Sequence, residues 1–180
     1  KIKHFISRRA MDINGLGNET VSLLYNNGLL NNIADLYELS YQDIIALDRM
    51  ADKSVNNLIN GILLSKDKPF SKVLFGLGIR HVGETVAKKL ANYFKNIDLL
   101  ISANYDTLIA VDEIGDIIAK SLLEFFSSED NIKLINRLKK NGLILYSETK
   151  LISNNLPLND KKFVVSGLFD NISREELKEK

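Results

Sequence analysis

A short bend that opens a helix recurs four times in this 180-residue chain, and the recurrence restricts the possible folds more than any other feature. The clearest copy is Gly78 to Leu90, GIRHVGETVAKKL. After Gly83, the residues Val86, Ala87, Leu90, Ala91 and Phe94 return at helical spacing on one side. Ile13 to Leu24, INGLGNETVSLL, places Gly17 on Gly83, and Ile114 to Leu122, IGDIIAKSL, places Gly115 there. A degraded copy at Met50 to Leu58, MADKSVNNL, has Ala51 in the glycine position. The anchors Gly17, Ala51, Gly83 and Gly115 lie 34, 32 and 32 residues apart, a period that signals a repeated supersecondary unit. Gly83 is expected to supply a turn position with positive φ, which glycine adopts without steric cost.

The chemistry is expected at the same turns. A bend ending on the first turn of a helix directs unpaired backbone N–H groups, backed by the positive end of the helix dipole, at one small volume suited to a phosphate oxygen. The candidate contact residues are Gly15, Gly17 and Asn18 at the first bend and Lys53 after the second. At the third they are Arg80, His81, Val82 and Gly83, and at the fourth Ile114 and Gly115. Arg8 and Arg9, upstream of the first bend, are candidate phosphate partners. Each has a plainer reading as a turn former or an exposed cation. Glu19, Glu84 and Asp116 at helix starts are read as stabilisers of the positive helix end.

With 45% hydrophobic residues the chain can bury a real core. It has no cysteine, which excludes disulfides and thiolate metal sites, and its two histidines, His4 and His81, stand 77 positions apart in sequence. No apolar run reaches the ~18 to 20 residues of a membrane span and no signal-peptide pattern opens the chain, so the expected compartment is the cytoplasm. Lys and Arg number 24 against 23 acids, and the near balance holds in every segment. A strongly basic footprint is therefore missing, and backbone amides with a few placed cations would have to hold any nucleic acid.

Along the chain, Lys1 to Ala10 carries cations and leads straight into the first bend, which reads as the start of a fragment. Asn27 and Gly28 stop the first helix. Asn32 caps a short apolar segment, and Ser40 with Asp43 forms a capping box. A long helix is expected over Asp52 to Ser65, with Pro69 at the first position of the next. Asn96 and Asn104 are caps, and Asn131 to Asn141 forms a last helix closed by Gly142. Residues 1–142 are thus expected to form one all-α domain. Leu143 to Leu158 reads as a linker. Residues 159–180 hold a β-rich run, KFVVSG, and a capping box from Ser173 to Glu176, which together read as the first piece of a truncated α/β domain. A phosphate pocket at Ser166 and Gly167 is weighed against a plain strand-to-helix turn, and the turn is preferred.

Four such units in tandem, entered through HFISRRAMDINGLG and centred on FGLGIRHVGETVAKKLA, resemble the helix-hairpin-helix domain of bacterial NAD-dependent DNA ligases, from about His4 to Gly142. The tail DKKFVVSGLFDNISREEL is similar to the opening strand and helix of the BRCT domain that follows in those enzymes. The resemblance implies a parent that seals nicks in duplex DNA during replication and repair, in the bacterial cytoplasm near the nucleoid. It implies NAD as adenylate donor, with Mg and Zn, in parts outside these 180 residues, so that this piece is inactive alone and holds no cofactor. It further implies a monomer that grips nicked double-stranded DNA by its backbone across the minor groove, without sequence preference. Two departures stand out. Arg49 and Ala51 replace a glycine pair in the second unit, and His81 and Glu113 replace the first glycine of the pair in the last two. Arg49 either substitutes charge for turn geometry or marks a hairpin that only supports the fold. The latter is preferred, because loss of both glycines is expected to change the exposed amide geometry.

Two other classes of function compete. In a base-excision glycosylase the hairpin lysine would be Lys53 and the aspartate nearest the required distance Asp67. In a protein-interaction scaffold the repeats would present a surface to protein and bind no duplex.

Overall fold

The helical spacing of apolar residues is realised as a series of short helices in residues 1–147, the part that the computed structural model describes. They are α1 (Ile2–Phe5), α2 (Asn18–Asn26), a 3-10 turn (Asp35–Glu38), α3 (Tyr41–Ile45), α4 (Asp52–Ser65), α5 (Phe70–Gly76), α6 (Glu84–Phe94), α7 (Ile97–Ile101), α8 (Tyr105–Ile109), α9 (Asp116–Ser127) and α10 (Glu129–Lys140). Among the described residues no strand occurs beyond an isolated antiparallel bridge between Asn96 and Tyr146. The expected α/β tail, residues 159–180, lies outside the described residues, as does most of the expected linker.

Local sequence signals set most of the boundaries. Ser40 and Asp43 form the reciprocal capping box at α3, and the Asn96 and Asn104 side chains accept from Leu99 N–H and Thr107 N–H to start α7 and α8. Gly28 and Gly142, at φ 73° and 86°, take the left-handed conformations that follow α2 and α10. Pro69 precedes the first helical residue of α5 rather than being it, because its carbonyl already accepts from Val73 N–H.

Shifting the sequence by 64 residues exposes a second level of repetition, in which Leu36, Ser40, Tyr41, Asp48 and Asp52 fall on Leu100, Asn104, Tyr105, Asp112 and Asp116. The local structures agree. The Tyr41 hydroxyl donates to Asp52 and the Tyr105 hydroxyl to Asp116, the latter at 2.9 Å, tying α3 to α4 and α8 to α9 in the same way.

One apolar cluster runs through all of this, with Phe5, Leu24, Leu58, Phe70, Leu90, Leu108, Leu122 and Leu138 buried. Polar ties close it. The Tyr37 hydroxyl meets Ser65 Oγ at 3.0 Å inside the core, where burial pushes the phenol up to about 12. Arg137 on α10 donates to Asp35 at 2.8 Å and to Glu38 at 3.0 Å, 102 and 99 residues earlier. Gly61, in the middle of α4, admits the first bend. A Cβ there would sit 2.3 Å from the Asn14 carbonyl oxygen, so only a residue without a side chain permits the approach.

The sequence boundary at residue 142 needs correction. Leu143 and Leu145 are buried, Ile97 N–H donates to the Leu145 carbonyl at 2.9 Å, and Ser147 Oγ donates to the Ala91 carbonyl at 3.1 Å. A single alternation, Leu143 and Leu145 inward with Ile144 between them, is too short to register as periodicity yet long enough to extend the domain.

Candidate nucleic-acid interface

All four bends have one backbone form. Two residues before each helix N-cap, Gly15, Arg49, His81 and Glu113 take φ of 82°, 65°, 64° and 65°. The N-caps Gly17, Ala51, Gly83 and Gly115 are extended, at φ −80°, −89°, −78° and −90°. Gly83 therefore does not supply the positive φ expected of it; His81 does. The second bend also keeps its shape without either glycine, contrary to the expectation that its amide geometry would change. A left-handed conformation costs a non-glycine residue about 1 to 2 kcal/mol, so the surroundings must impose it at Arg49, His81 and Glu113.

What imposes it is visible on either side of the left-handed residue. Ile13 and Leu16, Ile79 and Val82, and Val111 and Ile114 are buried pairs, and Leu47 and Met50 hold the same positions half-buried. Each pair pins the bend to the core and leaves its tip outside. Val82 and Ile114, expected as contacts, are thus inward anchors. Their amides donate to the Ile79 and Val111 carbonyls at 3.1 and 3.0 Å.

The helix starts are left open. In α2, α4, α6 and α9, as in α1, α5 and α10, no N-cap side chain bonds the first turn, in contrast to Ser40, Asn96 and Asn104 at α3, α7 and α8. Gly17, Gly83 and Gly115 are exposed, and a Cβ on any of them would meet nothing within 4 Å. Neither φ nor packing requires glycine there. Its effect is to expose the first-turn N–H groups to an incoming oxygen.

Around these starts the side chains differ. Gly15 and Asn18 are exposed, and Asn18 and Arg49 line one polar cleft of about 690 Å³ between α2 and the second bend. Arg8, Lys53, Arg80 and His81 are exposed. Arg9 is also exposed but engaged, lying 3.5 Å from Glu84 and 5.9 Å above the Phe75 ring. Lys72 donates to Glu84 at 2.6 Å and to the Arg9 carbonyl at 2.8 Å, and this ammonium holds the Glu84 carboxyl below its ordinary range. Lys120 and Tyr105 do the same for Asp116. Lys89 on α6 donates to Asp112 at 2.6 Å and lies 2.7 Å from Glu113, and its hydrogen bond lowers Asp112. Lys89, Lys72 and Gly61 escaped sequence reasoning. The two lysines look like ordinary surface cations, whereas a glycine inside a long helix was a readable sign of close backbone approach.

The donor set does not suit a structural zinc ion: cysteine is absent, and no group of three or more His, Asp or Glu among the described residues is placed to hold a metal. The glycosylase pairing fails on geometry, because Lys53 begins α4 and Asp67 lies beyond its far end, roughly 20 Å away at 1.5 Å per residue. No helix among the described residues is long and apolar enough to cross a membrane.

A family model described as a helix-hairpin-helix motif matches residues 72–135. Over 180 residues the chain is 56% identical to a protein named DNA ligase from Flavobacterium psychrophilum, covering 99% of this chain and 27% of that protein. It is 53% identical to one of the same name from Bacteroides fragilis, again over 27% of its length. The chain spans about a quarter of the length of the curated relatives it matches.

Proposed function

We propose, from the premise that this chain corresponds to one segment of bacterial DNA ligases, that it is the part of such an enzyme that holds duplex DNA. In this reading the four bends are four helix-hairpin-helix units that grip the sugar-phosphate backbone across the minor groove, without reading sequence, beside a nick. The observation that carries it is the set of uncapped helix starts behind exposed N-caps. Three of these N-caps are glycines that neither a positive φ nor close packing demands. Arg8, Arg80 and Lys53 add charge at the edges of these sites and His81 adds a polar ring, with Gly15 and Asn18 flanking the first.

The parent reaction, sealing of nicks in replication and repair with NAD as adenylate donor, belongs in this proposal to other segments of the longer protein. Mg and Zn are assigned to those segments too, since the residues here do not fit a zinc site. A monomer in the bacterial cytoplasm, close to the nucleoid, and a BRCT domain beginning near residue 159 complete the proposal.

The test is a fluorescence titration of the 180-residue chain against nicked duplex, intact duplex and single strand. Preference for duplex over single strand is expected, with a shallow salt dependence because few cations are available to displace counterions. Absence of duplex binding would favour an interaction scaffold. A slope implying about eight or more neutralised phosphates would mean that a basic face, rather than main-chain amides, dominates.

A further inference from the structure

The fourth bend poses a problem for any polyanion. Its tip residues Asp112 and Glu113 are both acidic, with side chains 87% and 57% exposed, and they stand immediately before the uncapped start of α9. The corresponding second bend carries Asp48 and Arg49 and so brings its own cation. At the fourth bend the cation comes from elsewhere. Lys89, one turn into α6 and only 29% exposed, sets its ammonium 2.6 Å from Asp112 Oδ2 and 2.7 Å from Glu113 Oε1. In the first half of the repeat, 66 residues earlier, the matching position on α2 is Leu23, which can make no such contact.

We propose that Lys89 is a positioning residue for duplex binding: it holds and partly neutralises Asp112 and Glu113 so that the start of α9 stays open to a phosphate. The inference rests on the DNA-binding reading. Lys89 has two carboxylates already at hydrogen-bond distance, so its service to the duplex is indirect. Removing it would release two like charges toward the same volume that the phosphate must enter, and like-charge juxtaposition is strongly unfavourable.

The test compares nicked-duplex affinity for the 180-residue chain and its Lys89→Met, Asp112→Asn/Glu113→Gln and triple variants, with Lys88→Met as a control for loss of an exposed cation on the same helix. Lys89→Met is expected to weaken binding about tenfold, more than Lys88→Met, because the acids are then unmasked. The amide pair is expected to bind as tightly as the parent or tighter. In that background, loss of Lys89 is expected to change affinity by less than about twofold, since little remains to mask. An equal loss in both backgrounds would show Lys89 meeting phosphate directly, and no loss in either would place the fourth bend away from the DNA; both outcomes overturn the proposal. Thermal unfolding checks that Lys89→Met is folded. If it is not, the amide pair decides alone, and weakened binding on neutralising the two acids overturns the proposal. A parent chain that fails to bind duplex at all refutes the underlying reading, and does so before any variant is compared.

Discussion

The second and fourth bends stand at matching places in the 64-residue repeat, yet one presents Asp48 and Arg49 and the other Asp112 and Glu113. Their backbones nevertheless agree, with φ 65° at both Arg49 and Glu113, and each is spanned by a tyrosine hydroxyl of the helix before it donating to an aspartate of the helix after it. The comparison separates shape from charge. Shape is imposed by the apolar anchors beneath the bend and by the helix after it, so the tip residue is free to differ. Charge is then adjusted locally, by Arg49 within one tip and by Lys89 from outside the other. The first and third bends differ in another respect. The first rests its Asn14 carbonyl on α4 at Gly61, whereas the matching position of α9 is Phe125, which carries a side chain where Gly61 has none.

The largest expected effect breaks that last contrast. Gly61→Val places a branched side chain where a Cβ alone would stand 2.3 Å from a main-chain oxygen, and backbone has little room to yield. A loss of about 3 kcal/mol in urea unfolding is expected, at the upper end of what overpacking usually costs. A loss below about 1 kcal/mol would show that the first bend can reseat, and that the two halves differ less than their sequences suggest.

The next effect is smaller and of opposite sign. If the anchors impose the left-handed tip, then Arg49→Gly and Glu113→Gly should each stabilise the fold. The strain relieved is about 1 to 2 kcal/mol, less the extra freedom glycine gains when unfolded, which leaves up to about 1 kcal/mol. Removing the Glu113 partner of Lys89 subtracts little, because exposed pairs contribute little. Matched gains in denaturant midpoint would sharpen the separation of shape from charge. A gain at one bend and a loss at the other would break it, since the tip side chain would then be helping to set the geometry.

How far the sequence anticipates this depends on the kind of contact. The caps at Ser40, Asn96 and Asn104, the stops at Gly28 and Gly142, and the span of α4 all follow from interactions between residues a few positions apart, which a single sequence displays. The periodic bends were legible for the same reason. Their internal assignment was not: His81, not Gly83, carries the positive φ, because glycine at an N-cap invites a conformational explanation when the structure gives it open space instead. The burial of Val82 and Ile114 was not legible either, since a single apolar pair three positions apart does not distinguish an anchor from a contact. Lys89 and Arg137 act on partners 23 to 105 residues away, a link that no local pattern records.

The smallest expected change in stability comes from giving an open helix start the kind of cap that α3 already has. Gly115 is extended, as Ser40 is, and a side chain at Gly115 would meet nothing within 4 Å, so Gly115→Ser should be accommodated without strain. Its hydroxyl could then accept from a first-turn N–H of α9, and the fold should gain a few tenths of a kcal/mol, the usual difference between serine and glycine at an N-cap. Duplex affinity should move the other way, because the same N–H is no longer offered outward and the hydroxymethyl group occupies the approach. The two readouts, thermal midpoint and duplex titration, therefore separate the two possible reasons for glycine at this position. A rise in stability with unchanged affinity would mean that the fourth bend stands clear of the DNA. The same substitution at Gly83, beside the Arg80 guanidinium and the His81 ring, should then still weaken binding if phosphate is held at the third bend.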